Sequence, residues 1–365
     1  MVRTGWVCKQ TVKLHSNCIF IQFLLFCKDF FAIADSIVFL GTGGTIAGSA
    51  SGAQDNLSYT SGRVALGDLL ADLPGLPERL AGREMLHEQV FQEDSKDLDP
   101  SHWQLLAARV GQHLERPSVG GVVITHGTDT LEETAFFLAR TLPARLLAAK
   151  AVVLTCAMRP ATSMSPDGPQ NLRDATVVAC DPGAHGVMVV CQGEVFDGAQ
   201  VQKNHPYRLN PFDAGDYGVV GVVEEKQLRL LGGWPRPVPD RAINTLMRMP
   251  ASSQAFPRVE IVFNHNGADG AIVRALCAPP SPSDQPVQGI VLAGTGNGTV
   301  HKALEAALRQ AQTQGVTVVR TTRCARGRVL PRADGRGDEF PILELSPIKA
   351  RIELMLQLVA LQTLI

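Results

Sequence analysis

Seven short apolar runs, rich in β-branched residues, recur along this chain: IVFL, GVVIT, AVVLT, GVMVV, VEIVF, GIVLA and VTVVR. Each is followed by a loop of Gly, Thr or Asn and then a helix-forming stretch. A strand that is apolar on both faces needs cover on both faces, so these runs predict a mostly parallel sheet with helices on either side. The expected fold class is therefore α/β: a doubly wound, mostly parallel sheet in an N-terminal domain, with a smaller α/β domain after it. In such folds ligands bind at the carboxyl ends of the strands. Two of the loops at those ends carry threonines, in SIVFLGTGGTIAG (residues 36–48) and GVVITHGTDTLEETAFFL (residues 121–138).

A length of 365 residues suggests about two domains. We expect an N-terminal domain over residues 36–234, a proline-rich linker over 235–256 and a C-terminal domain over 257–365. Residues 1–35 begin with Arg3, Lys9 and Lys13, continue into CIFIQFLLF and reach Ala32-Ile33-Ala34. They read as a signal peptide or a non-native extension, and the apolar stretch is too short to span a bilayer. The expected compartment is the cytoplasm, or the periplasm if this segment is a signal. A net charge of −1 without a basic stripe argues against nucleic acid or anionic membrane as partners. The eight cysteines form no CxxC pair, and there is no HExxH, so neither a metal site nor a disulfide framework is expected.

In HGTDTLEET, Thr130 and Glu133 have capping-box spacing, which predicts a helix from about Leu131 with Thr128 and Asp129 at its N-terminus. An anion or a substrate ammonium could be held there, though a plain N-cap uses the same residues. Thr45 in FLGTGGTIAG is a possible nucleophile. Its glycines let the backbone approach a ligand closely, and they fit neither a dinucleotide fingerprint nor a serine-hydrolase elbow. A nucleophilic hydroxyl needs a base. Tyr59 and Lys203 are the candidates, the latter on the outgoing strand of a hairpin expected to turn at Asp197-Gly198.

TGGTIAG, the following tyrosine, HGTDTLEET and AMRPATSMSPDGPQNL (157–172) together resemble the bacterial L-asparaginase family, from Ser36 to about Leu358. The resemblance implies that Thr45 is the nucleophile and that Tyr59, on a flexible lid, activates it. It makes Thr128, Asp129 and Lys203 a second catalytic group. Ser95, Thr128, Asp129 and Ala157 would bind substrate. The implied reaction is hydrolysis of L-asparagine to L-aspartate and ammonia through a threonine ester. Broad glutaminase-asparaginase specificity is the alternative. No cofactor is implied. A homotetramer is, with Thr299 and Asp334 (Asp338 and Glu339 are rivals) reaching a neighbour's site.

Overall fold

The computed structural model describes residues 36–71, 73–238, 256–281, 285–331 and 339–362. Residues 1–35 and most of the proline-rich linker lie outside them, as do Asp334 and Asp338.

All seven apolar runs are strands. The large sheet has eight: β1 (Ser36–Gly43), β2 (Glu84–Glu93), β3 (Val119–Thr125), β4 (Ala151–Thr155), β5 (Gly186–Cys191), β6 (Glu194–Asp197), β7 (Gly221–Glu224) and β8 (Gln227–Leu230). Their spatial order is β8-β7-β6-β5-β4-β3-β1-β2, with β2, β1, β3, β4 and β5 parallel and the rest antiparallel. Successive residues of each central strand serve opposite cores. Val38, Leu40, Val122, Ile124, Val152 and Leu154 face one cluster, while Ile37, Phe39, Val123 and Val153 face the other. Helices α1 (Pro100–Leu114) and α2 (Leu131–Thr141) cover the first face, and α3 (Gly168–Cys180) covers the second. This is how a strand with period-two geometry can be apolar throughout.

The smaller unit has three parallel strands, β9 (Arg258–Phe263), β10 (Val287–Gly294) and β11 (Thr317–Thr322), in that order, with α4 (Lys302–Thr313) and the apolar α5 (Pro347–Gln362). The α5 helix packs on this sheet and also on α2. There Glu353, 5 % exposed, is paired with Arg140 at 2.7 Å.

Two expectations are corrected. The chain does not form a hairpin at Asp197-Gly198. It reverses at Gln192-Gly193, both with positive φ (53° and 76°), so that Cys191 pairs with Glu194. The Asp197 carboxylate instead accepts from the Ala199 N–H at 2.8 Å and closes a local turn. Lys203 lies on a separate ribbon, Gln202–Lys203 against Phe212–Asp213. The helix does begin at Leu131, but Thr130 makes no side-chain cap. Its hydroxyl donates to the Ser95 carbonyl at 2.7 Å, tying the helix start to the loop after β2.

Candidate active site

The chain runs from β1 to the outer strand β2 and then to β3 on the other side, so the sheet's order reverses between β1 and β3. Ligand crevices open at such points. Register places Gly41 beside Thr125, and Thr125 beside Thr155, so the loops bearing Thr45, Thr128 and Ala157 leave the sheet at one level. Thr42 binds these ends together, donating to the Thr125 carbonyl at 2.8 Å.

The two threonine loops touch through their glycines. Gly44 has φ 81°, and a Cβ there would lie 2.3 Å from the Gly127 nitrogen. A Cβ on Gly127 would in turn meet the Ser95 hydroxyl at 2.5 Å. Both positions therefore admit only glycine, and their close approach brings Thr45, Ser95 and Thr128 into one locality.

Thr45 is buried in a single 3₁₀ turn, and its Oγ1 lies 2.6 Å from the Tyr59 hydroxyl. Tyr59 stands on a short ribbon, Ser49–Ala50 paired with Tyr59–Thr60. The loop after β4 holds that ribbon: the Ala161 N–H donates to the Gly48 carbonyl at 3.0 Å, and the Ala50 N–H to Thr162 Oγ1 at 2.8 Å. Burial pushes the Tyr59 phenol above its usual value, against the lowering effect of the Thr45 hydrogen bond. Its phenol is thus protonated at neutral pH.

Lys203 Nζ donates to Thr128 Oγ1 at 2.9 Å and to Asp129 Oδ1 at 2.5 Å. Thr128 is buried, whereas the Asp129 side chain is 57 % exposed and open to an incoming cation. Ser95 is buried in the turn after β2. Ala157 is fully buried beside Ile46 and Ala47. The backbone after it is fixed by the Asp167 carboxylate, which accepts from the Met158 and Arg159 N–H groups at 2.9 Å each. Thr299 lies in the smaller unit, where its hydroxyl bonds Thr295 of the same loop. Glu339 pairs with Arg309 at 2.7 Å. The structure thus brings Thr45 to Tyr59, and Thr128 to Asp129 and Lys203. It leaves Thr299 in a loop of its own.

Sequence reasoning missed a buried chain beneath Thr128. Trp103 Nε1 donates to Thr134 Oγ1 at 3.0 Å, Thr134 lies 2.9 Å from His126 Nε2, and His126 Nδ1 lies 2.8 Å from the Gly127 carbonyl. The carbonyl can only accept and the indole can only donate, so the direction follows: Nδ1 carries the proton and Nε2 accepts from Thr134. Three residues from α1, the loop just after β3 and α2 thereby fix the peptide that precedes Thr128. No spacing in the sequence marks this chain.

Burial pushes His126 down to about 4 from 6.5. The folded state therefore binds fewer protons than the unfolded one between those values. The stability contributed by the neutral ring is whole above about 6.5 and is lost as pH falls toward 4, a loss of about 2–3 kcal/mol by pH ~4.5. Urea unfolding at neutral pH and at pH ~4.5 should show a smaller acid loss in His126→Gln than in the parent. Equal losses would show that His126 is not the acid-sensitive group.

The description "Asparaginase, N-terminal" matches residues 36–235, and "Glutaminase/Asparaginase C-terminal domain" matches 258–363. The chain is 34 % identical over 334 residues to L-asparaginase 2 of Escherichia coli, covering 90 % of this chain and 89 % of that one. It is also 34 % identical over 324 residues to a glutaminase-asparaginase of Pseudomonas aeruginosa, covering 87 % and 84 %. Its fold superposes with a TM-score of 0.76 on the crystal structure of a probable cytoplasmic L-asparaginase from Campylobacter jejuni, at 31 % identity, over 89 % of this chain and 95 % of that chain. The family matches span both sheets, and the chain belongs to the asparaginase family of amidohydrolases.

Proposed function

We propose that this protein hydrolyses L-asparagine to L-aspartate and ammonia through an ester on Thr45. The observation that carries this reading is the 2.6 Å contact between Thr45 Oγ1 and the Tyr59 hydroxyl, set against the Thr128–Lys203–Asp129 group across the Gly44–Gly127 contact. The Thr45 oxygen attacks the side-chain amide carbon of asparagine. Its proton passes to the Tyr59 oxygen as the phenol's own proton is handed on toward the amide nitrogen, because a phenol held above its usual value cannot wait as a phenolate. The tetrahedral oxyanion collapses, ammonia takes up a proton and leaves, and a β-aspartyl ester remains. Water, deprotonated on the Thr128–Lys203 side, attacks the ester and releases aspartate and the Thr45 hydroxyl.

Asp129 is exposed and anionic, which suits it to the substrate α-ammonium. The ammonium then shares that carboxylate with Lys203, which keeps its contact with the Thr128 hydroxyl. Ser95 binds the α-carboxylate, and the buried backbone at Ala157 borders the amide. Thr299 and Asp334 of a neighbouring copy complete the site in a tetramer.

The second reading, broad glutaminase-asparaginase activity, is favoured by the named P. aeruginosa relative at the same identity as the E. coli one. Glutamine is one methylene longer, and a pocket discriminates that by about 1–3 kcal/mol, or roughly 10- to 200-fold. Ammonia release at matched concentrations should give a kcat/KM for asparagine above that for glutamine by such a factor. Equal values would favour the broad reading, and no release from either would end both. Among the described residues no helix is long and apolar enough to cross a membrane. We place the enzyme in the cytoplasm, or in the periplasm if residues 1–35 direct export.

A further inference from the structure

A second polar cluster lies next to Lys203, outside the groups assigned to the reaction. Lys349, on α5 of the smaller unit, is 3 % exposed. Its Nζ donates to the carbonyls of Ala199 at 2.9 Å and Val201 at 2.7 Å. These carbonyls end the turn after β6 and lead directly into Gln202–Lys203. The Lys349 ammonium faces two carboxylates, Glu132 in the first turn of α2 and Asp197 at the end of β6. Glu132 also lies in the field of Lys203, whose backbone N–H and ammonium both favour its charged form, with Glu133 as its like-charged neighbour. Asp197 fixes the same turn through the Ala199 N–H. The backbone entering Lys203 is therefore held by Lys349 at its carbonyls, with the Glu132 carboxylate set beside it.

A buried ammonium is costly unless its charge and its donors are satisfied. Holding α5 against the large sheet does not require one. The Arg140–Glu353 pair, about one helical turn further along, already makes that connection. Two carbonyls of one turn, both met by a single buried Nζ, point instead to a demand on where that turn sits.

We propose that Lys349 and Glu132 are positioning residues for Lys203: the smaller domain reaches through Lys349 into the large one and sets the place from which Lys203 meets Thr128 and Asp129. The role rests on the reading of Lys203 as part of the catalytic group. Burial pushes Glu132 up to about 7 and Lys349 down to about 8, so the set changes charge close to neutral pH. As pH falls through about 7, Glu132 takes up a proton and its attraction for Lys349 and Lys203 weakens, which lowers kcat on the acid side.

The test uses the full chain with Lys349→Met, Glu132→Gln and, for contrast, Glu353→Gln. In Lys349→Met, kcat on asparagine should fall about 10-fold or more with KM within about threefold, the scale of a misplaced catalytic group. Glu132→Gln should lose the acid limb of the kcat profile near pH 7. Glu353→Gln should lower the unfolding midpoint and leave kcat within about twofold. Hydrogen exchange followed by mass spectrometry gives a readout that needs no substrate: the peptide covering 199–203 should exchange faster in Lys349→Met, with 131–141 unchanged. A folded Lys349→Met with unaltered kcat and unaltered exchange at 199–203 would overturn the inference. So would equal losses of kcat in Lys349→Met and Glu353→Gln, which would mark simple domain docking. If the parent releases no ammonia from asparagine, the proposed function fails, and the exchange at 199–203 still decides whether Lys349 positions the segment.

Discussion

Thr45→Ala should lower kcat/KM for asparagine by about 10³- to 10⁵-fold, or roughly 4–7 kcal/mol of transition-state stabilisation. The substitution removes the one oxygen placed 2.6 Å from the Tyr59 hydroxyl. The structural cost is small by comparison. Tyr59 is only half-buried and can bond water, so the lost hydrogen bond costs about 1 kcal/mol. Circular dichroism and the unfolding midpoint should change little, while turnover measured by ammonia release collapses. Thr45→Ser keeps the oxygen and should retain far more activity than Thr45→Ala. Turnover of Thr45→Ala within tenfold of the parent would remove Thr45 from the chemistry.

The next largest effect should follow Lys203→Met. A methionine fills the same space but cannot donate to Thr128 at 2.9 Å or to Asp129, nor exchange a proton with either. General acid–base assistance is worth about 10²–10⁴ in rate, and kcat should fall by that factor. KM should move less, because Asp129 remains exposed and charged and still offers the substrate ammonium its partner. The fold should survive, since that carboxylate rehydrates when its lysine is lost. A variant that kept kcat within about threefold would assign water activation elsewhere.

Much of the fold could be read from the sequence because burial on both faces forces a strand to be apolar throughout. Ile37 to Leu40 and Ala151 to Leu154 are fully buried and cannot be mistaken for surface. The outer strand Glu84–Glu93 was not legible for the opposite reason. It lies at the sheet edge, half its residues meet solvent, and its polar pattern carries no core signal. Lys203 lies on a ribbon that the sequence does not mark, because Asp-Gly signals a reversal without saying which kind. Here the Asp197 carboxylate bonds the backbone two residues on, and the positive-φ pair Gln192-Gly193 makes the hairpin.

The candidate residues could be singled out one by one in the sequence, but their pairing was legible only through resemblance. Thr45 and Tyr59 are 14 residues apart, and Thr128 and Lys203 are 75 apart, so no local rule pairs them. Thr130 has the spacing of a capping residue, yet its hydroxyl goes to Ser95, 35 residues away in sequence. His126 with Thr134 and Trp103, and Lys349 with the turn before Lys203, become visible only once distant elements are packed together.

The central claim is that the reaction passes through an ester on the first of the two threonine loops. Its most direct test is to mix the enzyme with asparagine, quench in acid within one turnover, digest, and locate the bound aspartyl group by mass spectrometry. The aspartyl group is expected on the peptide containing Thr45, at the Thr45 oxygen, and is expected to be absent from Thr45→Ala. An aspartyl group on Thr128, or first-turnover ammonia release with the Thr45 peptide unmodified, would contradict it.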